Sequence, residues 1–169
     1  MGAIASKAQY ERVLRYIEKA KAEGARLVCG GKRPAGAAFG QGFFLEPTIF
    51  DDVRPDMRIA REEIFGPVLS VETVQSIEHA CDLVDASNFA LTGGLFSRSP
   101  RTIEYVTDRT PVGNLYVNRE ITGAMVGRQP FGGGKLSGTG PKAGGPDYLL
   151  QFVEARAVTE NTVRHGLVV

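Results

Sequence analysis

Two stretches of the sequence combine residue types that can hold a ligand. The first runs from Arg61 to Pro67 as REEIFGP, so that a carboxylate, Glu63, stands just before an aromatic ring and a Gly-Pro turn. Such a carboxylate can accept hydrogen bonds from two hydroxyls, such as those of a ribose, and the ring of Phe65 can lie against a flat heterocycle. The alternative is a solvated acidic pair ahead of a strand, and local chemistry alone favours that alternative.

The second stretch is a glycine-dense loop from Thr122 to Gly140, which reads TGAMVGRQPFGGGKLSGTG. Gly123 and Ala124 can offer backbone N–H groups to an anion, and Phe131 can wall an apolar pocket. Long loops inside a compact domain are usually functional or disordered, and the apolar residues here argue against disorder. We therefore expect an ordered loop that faces a substrate. A glycine-rich surface turn remains an alternative of equal weight.

The cysteines and histidines give weaker indications. Cys29 lies at the end of a predicted strand and Cys81 on the inner face of a predicted helix. Neither has a basic neighbour in sequence, which favours buried structural thiols over nucleophiles. His79 and His165 are isolated, and no spacing typical of metal ligands occurs in the sequence. Two cysteines are too few for a disulfide framework, so we expect free thiols in a reducing cytoplasm.

Length and charge exclude several classes of protein. The chain has 169 residues, enough for one domain with a sizeable core. Its formal net charge of +1 gives no sign of a nucleic-acid or membrane partner. No apolar run reaches transmembrane length, and no signal peptide opens the chain. The totals therefore predict an ordinary soluble globular protein.

Hydrophobic periodicity and turn residues predict helices that alternate with short strands. The predicted helices are 7–23, which follows a capping box from Ser6 to Gln9, then 76–86 and 100–108, with short helical segments at 56–61 and 146–152. The predicted strands are 26–29, 43–50, which Pro47 makes an edge or interrupted strand, 67–74, 91–96, 112–118 and 155–162.

This alternation predicts an α/β fold with a mostly parallel sheet flanked by helices. The final strand, Ala155 to Thr162, is polar and has no helix to carry it back to the sheet. Such a strand often pairs with another chain. We therefore expect a domain of residues 1–153 and a C-terminal oligomerisation arm of residues 154–169.

Three motifs, EEIFGPVLSV, GNLYVN and PFGGGKLSGTG, resemble the C-terminal part of the catalytic domain of the NAD(P)-dependent aldehyde dehydrogenases. The resemblance covers nearly the whole chain. Within that superfamily, TGAMVGRQPFGG followed by KAGGPDYLLQFVEARAVTENT is similar to the Δ1-pyrroline-5-carboxylate dehydrogenases. These are the glutamate-semialdehyde dehydrogenases of proline catabolism, found alone or fused to proline dehydrogenase. The EEIFGP block indicates only the superfamily, whereas the loop with KAGGPDYL is more specific.

The resemblance implies roles for the residues of both stretches. Glu63 would hold the nicotinamide ribose of NAD, or of NADP as the alternative, and Phe65 would pack near the nicotinamide. The amides of Gly123 and Ala124 would hold the α-carboxylate of glutamate semialdehyde, and Phe131 would line the aldehyde pocket. The final strand would be the arm that pairs two subunits in a homo-oligomer.

The same resemblance places the catalytic cysteine and the water-activating glutamate upstream, and neither motif occurs here. The dinucleotide-binding half is missing too. We therefore expect no catalytic residue in this chain, no NAD binding by the chain alone and no activity by itself. The alternative function is a non-catalytic dimerisation or interaction module derived from an aldehyde dehydrogenase. A weaker hypothesis is that Cys29 or Cys81 took over as the nucleophile.

Overall fold

The structure is a computed structural model and describes residues 1–162. The chain divides into two compact units. The first unit consists of Met1–Asn88 and Glu104–Thr110, and the second consists of Phe89–Ile103 and the chain from Pro111 onward. The helices are α1 (Lys7–Ala22), α2 (Arg58–Arg61), α3 (Ile77–Ala86) and α4 (Pro100–Arg109), with short 3₁₀ helices at Ala37–Phe39 and Tyr148–Phe152. The strands are β1 (Arg26–Cys29), β2 (Thr48–Asp51), β3 (Val68–Ser70), β4 (Phe89–Ala90), β5 (Thr92–Leu95), β6 (Asn114–Val117) and β7 (Gly134–Lys135).

Helix α1 confirms the sequence prediction almost to the residue. It begins after Ser6, whose hydroxyl accepts a hydrogen bond from the Gln9 N–H at 3.2 Å. It ends before Gly24, which has a φ of +95° that glycine adopts without strain. The inward face of the helix is fully buried at Val13, Ile17 and Ala20. The capping box is only half formed, because the Gln9 side chain does not return to Ser6.

A three-stranded sheet completes the core of the first unit. Strand β2 lies in the middle, antiparallel to β1 and parallel to β3. Phe50 of β2 and Met57, just before α2, are almost completely buried against α1. Full burial of such side chains contributes about 1.5–3 kcal/mol each. Thr48 is a buried polar residue whose hydroxyl accepts from Gly31 N at 2.8 Å and donates to Glu46 O at 2.9 Å.

Helices α3 and α4 begin at the serines that the sequence indicated. The Ser76 hydroxyl accepts from His79 N at 3.1 Å, and the Ser99 hydroxyl accepts from Thr102 N at 3.3 Å. At the end of α4, Arg109 forms ion pairs with two carboxylates of α3, those of Asp82 and Asp85. None of the helices in residues 1–162 is long and apolar enough to cross a membrane.

The second unit contains two small sheets. Strands β5 and β6 are parallel, from Thr92 opposite Asn114 to Leu95 opposite Val117, and α4 belongs to the connection between them. Strands β4 and β7 are antiparallel, with Phe89 opposite Lys135. Strand β7 lies within the loop that the sequence predicted to have no strand. A two-residue strand of glycine and lysine has no hydrophobic pattern by which it can be found.

The single, mostly parallel sheet expected from the sequence is wrong for the described part of the chain. The strands form three separate sheets, and two of the strand pairs are antiparallel. Strands β1 and β2 run antiparallel because the connection between them contains only a 3₁₀ turn and no crossover α-helix. The mixed α/β content itself is confirmed.

The predicted final strand, 155–162, has no regular secondary structure in the single chain, and its residues are exposed. Its pairing with a second chain stays a prediction. The proposed arm of residues 154–169 extends beyond the described residues, so its last part, 163–169, lies outside them. The division into a domain of 1–153 and this arm also stays a prediction.

Candidate functional site

The turn that carries Glu63 and Phe65 is fixed to helix α1 by side-chain hydrogen bonds to its backbone. Gln9 Nε2 donates to the carbonyl oxygens of Ile64 at 3.0 Å and Phe65 at 2.8 Å. Arg12 Nη2 donates to Glu63 O at 2.7 Å. Gln9 and Arg12 are three positions apart and therefore lie on one face of the helix. Three consecutive carbonyls are thus held, and the side chains of Glu63 and Phe65 are left to other contacts.

Close packing against the core and against the same helix also holds this turn. The Ile64 side chain is buried in the core of the first unit. Gly66 lies so close to α1 that a Cβ atom there would be 2.5 Å from Val13 Cγ2. The turn therefore has little room to move as a body.

Phe65 combines a strained backbone with an exposed ring. Its φ is +56°, in the left-handed region that costs a residue with a Cβ atom about 1–2 kcal/mol, and its side chain is 76% exposed. Such strain persists only where the surroundings impose it, and it clusters at functional sites. An apolar ring held out to solvent in this way can stack against a flat ligand.

The neighbouring carboxylates of the turn have different surroundings. Glu62 Oε2 accepts from the Tyr16 hydroxyl at 2.6 Å, and Arg58 lies 3.7 Å from the other oxygen. The Tyr16 hydrogen bond is the main cause that lowers the pKa of Glu62. Among the residues that the structure describes, the Glu63 carboxylate has no hydrogen-bond or ion-pair partner. Glu63 is therefore the carboxylate that can accept hydroxyls from a ligand.

The glycine-dense loop of the second unit is ordered, as the sequence predicted. Phe131 and Ala143 exchange backbone hydrogen bonds of 3.0 and 2.8 Å, and Gly127 N donates to Gly144 O at 2.9 Å. The loop therefore pairs with the segment that follows it. This pairing explains why a stretch so rich in glycine holds one conformation.

Two side chains join the loop to the start of β6. Asn114 donates from Nδ2 to Pro130 O at 3.0 Å and accepts at Oδ1 from Gly132 N at 3.1 Å. Lys142 Nζ donates to Gly113 O at 2.6 Å and also to Gly132 O. The two backbones approach so closely that a Cβ atom on Gly113 would be 1.9 Å from Gly132 O. Glycine is required at Gly113 because the obstacle is backbone.

In this loop the carbonyls of Thr122 and Gly123 accept hydrogen bonds from side chains. Arg119 Nη2 donates to Thr122 O at 3.2 Å. In the amide orientation that satisfies its neighbours, Gln129 donates to Gly123 O at 3.1 Å and accepts from Arg119 Nη1 at 2.7 Å. Within residues 1–162, the N–H groups of Gly123 and Ala124 have no acceptor. A pair of adjacent N–H groups without acceptors can bind an anion.

The residues singled out from the sequence fall into two groups. Glu63 and Phe65 share one turn of the first unit, while Gly123, Ala124 and Phe131 share one loop of the second unit. Ala124 is half-buried, and the Phe131 side chain is 37% exposed. The roles assigned to these residues from the resemblance stay predictions.

The residues that hold these groups in place were missed by sequence reasoning. Gln9 and Arg12 support the turn, and Arg119 and Gln129 support the loop. Gln9 was interpreted as the second member of a capping box. The available signal was the type of residue: Arg119, just before the loop, and Gln129, within it, both have long side chains with several hydrogen-bond donors that can reach backbone carbonyls.

The two cysteines differ in burial. Cys81 is buried on α3, as predicted, but Cys29 is exposed, so its expected burial is wrong. It is exposed because β1 is an edge strand that ends at this residue. His79 is exposed, as predicted, and His165 lies outside the described residues. Residues 1–162 contain no group of three or more His, Cys, Asp or Glu side chains that could hold a metal ion.

A comparison with protein families shows the family of the chain. Residues 1–158 match the aldehyde dehydrogenase family. The chain belongs to the aldehyde dehydrogenase family. Every site residue named above lies within the matched part of the chain.

Two similar curated proteins of this family are both named 1-pyrroline-5-carboxylate dehydrogenase. The chain is 44% identical over 160 residues to a 1-pyrroline-5-carboxylate dehydrogenase of Geobacillus sp. (strain WCH70). The aligned segment covers 95% of this chain and 30% of that protein. It is 42% identical, with the same coverage, to the protein of that name from Bacillus subtilis (strain 168). The chain therefore spans about three tenths of the length of the curated relatives that it matches.

Solved structures of this family have the same fold over the shared part. A Thermus 1-pyrroline-5-carboxylate dehydrogenase with bound NAD aligns with a TM-score of 0.85 and 49% identity, over 90% of this chain and 29% of that chain. Proline utilization A from Bdellovibrio bacteriovorus aligns with a TM-score of 0.87 and 50% identity, over 98% of this chain and 17% of that chain.

Proposed function

We propose that this chain supplies the substrate-carboxylate loop and the ribose-binding carboxylate of an NAD(P)-dependent 1-pyrroline-5-carboxylate (L-glutamate γ-semialdehyde) dehydrogenase. The reaction oxidises the aldehyde to glutamate in proline catabolism. The pair of N–H groups at Gly123 and Ala124 carries the proposal, because it is suited to a carboxylate that a simple aldehyde lacks. The names of the relatives support the same substrate.

The loop would recognise the α-carboxylate of the substrate. Hydrogen bonds from N–H donors to a carboxylate are charge-assisted and roughly twice as strong as neutral ones. Phe131 would contact the methylene groups between the carboxylate and the aldehyde. An aliphatic aldehyde without a carboxylate gains only the second contact, so the loop would set the preference for an acidic aldehyde.

The turn would hold the cofactor. The Glu63 carboxylate would accept from the hydroxyls of the nicotinamide ribose, and the Phe65 ring would lie near the nicotinamide. Both side chains are exposed, and Glu63 has no described partner, so both are open to contact with the ribose and the nicotinamide ring of the cofactor. NAD, when bound, supplies the hydride acceptor. The ribose contact is common to NAD and NADP, and NAD is favoured because the Thermus relative has NAD bound.

We expect the chain to be located in the cytoplasm. We also expect the chain by itself to be inactive. Cys81 is buried, and Cys29 Sγ lies 3.8 Å from Pro47 O at the end of β1. We expect no NADH from the isolated chain with pyrroline-5-carboxylate and NAD⁺. Steady NADH production above the blank would refute this. Labelling of Cys29 by iodoacetamide faster than a free peptide thiol would revive the alternative nucleophile.

A chimeric enzyme tests the loop. This chain would replace the matching part of the Thermus dehydrogenase, with Gly123→Val compared against Gly127→Val. Both glycines have positive φ, +79° and +73°, so the backbone strain of the substitutions is matched. We expect Gly123→Val to raise KM for glutamate semialdehyde about tenfold more than KM for propionaldehyde. Equal losses for the two aldehydes, or equal effects of the two substitutions, would refute the assignment.

The same chimera tests the turn. Glu63→Gln replaces a charge-assisted acceptor by a neutral amide, so we expect KM for NAD⁺ to rise. Glu62→Gln is the matched control, because the Glu62 carboxylate already accepts from Tyr16. A Glu63→Gln enzyme whose response to NAD⁺ equals that of the control would remove the assigned role.

A second candidate function is an interaction module that pairs through the C-terminal segment. Val153 and Val158 are 64% and 76% exposed on a backbone without regular structure, which suits pairing with a second copy. Light scattering would measure the oligomeric state of the intact chain and of a chain that ends at Glu154. A monomer in both cases would remove this candidate.

A further inference from the structure

Arg119 makes several contacts that support the glycine-dense loop from Thr122 to Gly140, here called the carboxylate loop. Its Nη2 donates to Thr122 O at 3.2 Å, its Nε donates to Glu120 O at 3.3 Å, and its Nη1 meets the Gln129 amide oxygen at 2.7 Å. The guanidinium carbon lies 5.1 Å from the centroid of the Tyr116 ring. One side chain therefore joins the loop to strand β6.

Peptide geometry converts these carbonyl contacts into a direction for the N–H groups. In a planar trans peptide, the C=O of one residue and the N–H of the next point in opposite directions. Arg119 holds the peptide between Thr122 and Gly123 through its carbonyl, and so sets the direction of the Gly123 N–H. Gln129 holds the next peptide through Gly123 O, and so sets the direction of the Ala124 N–H.

We propose that Arg119 and Gln129 are positioning residues that aim the N–H groups of Gly123 and Ala124 at the substrate carboxylate. The inference rests on the proposed function of the loop. In this role the two side chains act on the backbone of the loop and not on the substrate. Arg119 fixes the first of two successive peptide planes through Thr122 O, and Gln129 fixes the second through Gly123 O while Arg119 holds the Gln129 amide in place.

The chemistry of arginine explains why this residue suits the role. Its guanidinium is a flat fork that can bind two acceptors at once, whereas lysine is a single point charge on a flexible stem. Tyr116 is 5% exposed and belongs to β6, so its ring is a fixed surface for that fork. An Arg119→Lys chain keeps the charge but loses the rigid planar fork that fixes Thr122 O and the Gln129 amide oxygen relative to each other.

Three variants of this chain separate positioning from charge and from general folding. Arg119→Lys loosens the peptide that is held through Thr122 O and weakens the support of the Gln129 side chain that holds Gly123 O. Gln129→Leu removes the bond to Gly123 O and leaves the bond from Arg119 to Thr122 O. Arg128→Lys is the matched control, because Arg128 is exposed and its side chain has no hydrogen bond or ion pair within residues 1–162.

The experiment is a titration of the ¹⁵N-labelled chain with sodium glutarate, followed by amide resonances, with sodium chloride as the ionic control. Glutarate should shift the Gly123 and Ala124 resonances of the unmodified chain and of Arg128→Lys. In Arg119→Lys, the dissociation constant read at both amides should rise roughly tenfold, the value of about one net hydrogen bond. In Gln129→Leu, the response at Ala124 should fall more than the response at Gly123.

The outcomes that contradict the two proposals differ. If glutarate shifts neither amide in the unmodified chain, the carboxylate loop fails and the positioning role fails with it. If the unmodified chain responds and Arg119→Lys responds equally, the loop stands and the positioning role is wrong. Loss of the whole loop's resonance pattern in Arg119→Lys would show a general structural role, which also overturns the inference.

Discussion

The turn at Glu63 and the loop at Gly123 carry the two groups of candidate site residues, and they are held in place by different means. The turn is fixed by side chains on one face of a regular helix, Gln9 and Arg12 of α1. The loop is fixed by side chains from irregular backbone and from a strand end, among them Arg119 and Asn114.

The difference lies in where the rigidity comes from. The turn takes its rigidity from a helix that is already stable, and it holds one residue, Phe65, in a strained conformation. The loop has no such neighbour, so its own backbone must approach other backbone closely, which requires glycine at Gly113. Substitutions should therefore disturb the loop through backbone clashes and the turn through lost side-chain bonds.

The largest expected effect is on the loop. Gly113→Ala would place a Cβ atom 1.9 Å from Gly132 O, and backbone cannot move aside easily. We expect the free energy of unfolding to fall by about 3 kcal/mol. Gly134→Ala is the control, because a Cβ atom there would meet nothing within 4 Å. Urea denaturation compares the two, and equal midpoints would contradict the close approach.

A smaller effect is expected in the turn. Gln9→Met keeps the length of the side chain and removes the bonds to Ile64 O and Phe65 O. The free energy of unfolding should fall by about 1 kcal/mol, the net value of hydrogen bonds that are partly replaced by water. Arg15→Met on the same helix is the control, since Arg15 makes no described side-chain bond. If both variants unfold alike, α1 does not hold the turn through Gln9.

The smallest effect concerns the charge next to Glu63. The Tyr16 hydroxyl keeps the pKa of Glu62 below its ordinary value, so this contact favours the folded state at pH above that value and is lost as the pH falls through the folded pKa. In Tyr16→Phe the pKa of Glu62 should rise towards its ordinary value. Carboxyl ¹³C resonances measured against pH would show this, with Tyr10→Phe as the control. An unchanged titration of Glu62 would contradict the contact.

The sequence predicted local structure well where one residue decides it. Ser6, Ser76 and Ser99 each begin a helix, and Pro47 interrupts the predicted strand so that β2 begins at Thr48. It did not predict how strands pair, because pairing depends on residues distant in sequence. Strand β7 pairs with β4 across more than forty positions and carries no hydrophobic pattern.

The sequence likewise indicated candidate ligand-binding residues, whose roles stay predictions, but not which residues hold them in place. Glu63 and Phe65 stand beside a Gly-Pro turn, and Gly123 stands among other glycines. Residue type and immediate neighbours are therefore enough to single them out as candidates. The bonds from Gln9 to Ile64 and Phe65 join positions that no local rule relates. The left-handed conformation of Phe65 is imposed by those contacts, and a phenylalanine gives no local sign of it.

The central claim is that the N–H groups of Gly123 and Ala124 bind the substrate carboxylate. A crystal structure of the chimeric enzyme with L-glutamate tests it most directly. The claim predicts one carboxylate of glutamate within about 2.7–3.2 Å of both amide nitrogens, the range of a hydrogen bond. Glutamate bound with both carboxylates away from these nitrogens would contradict it.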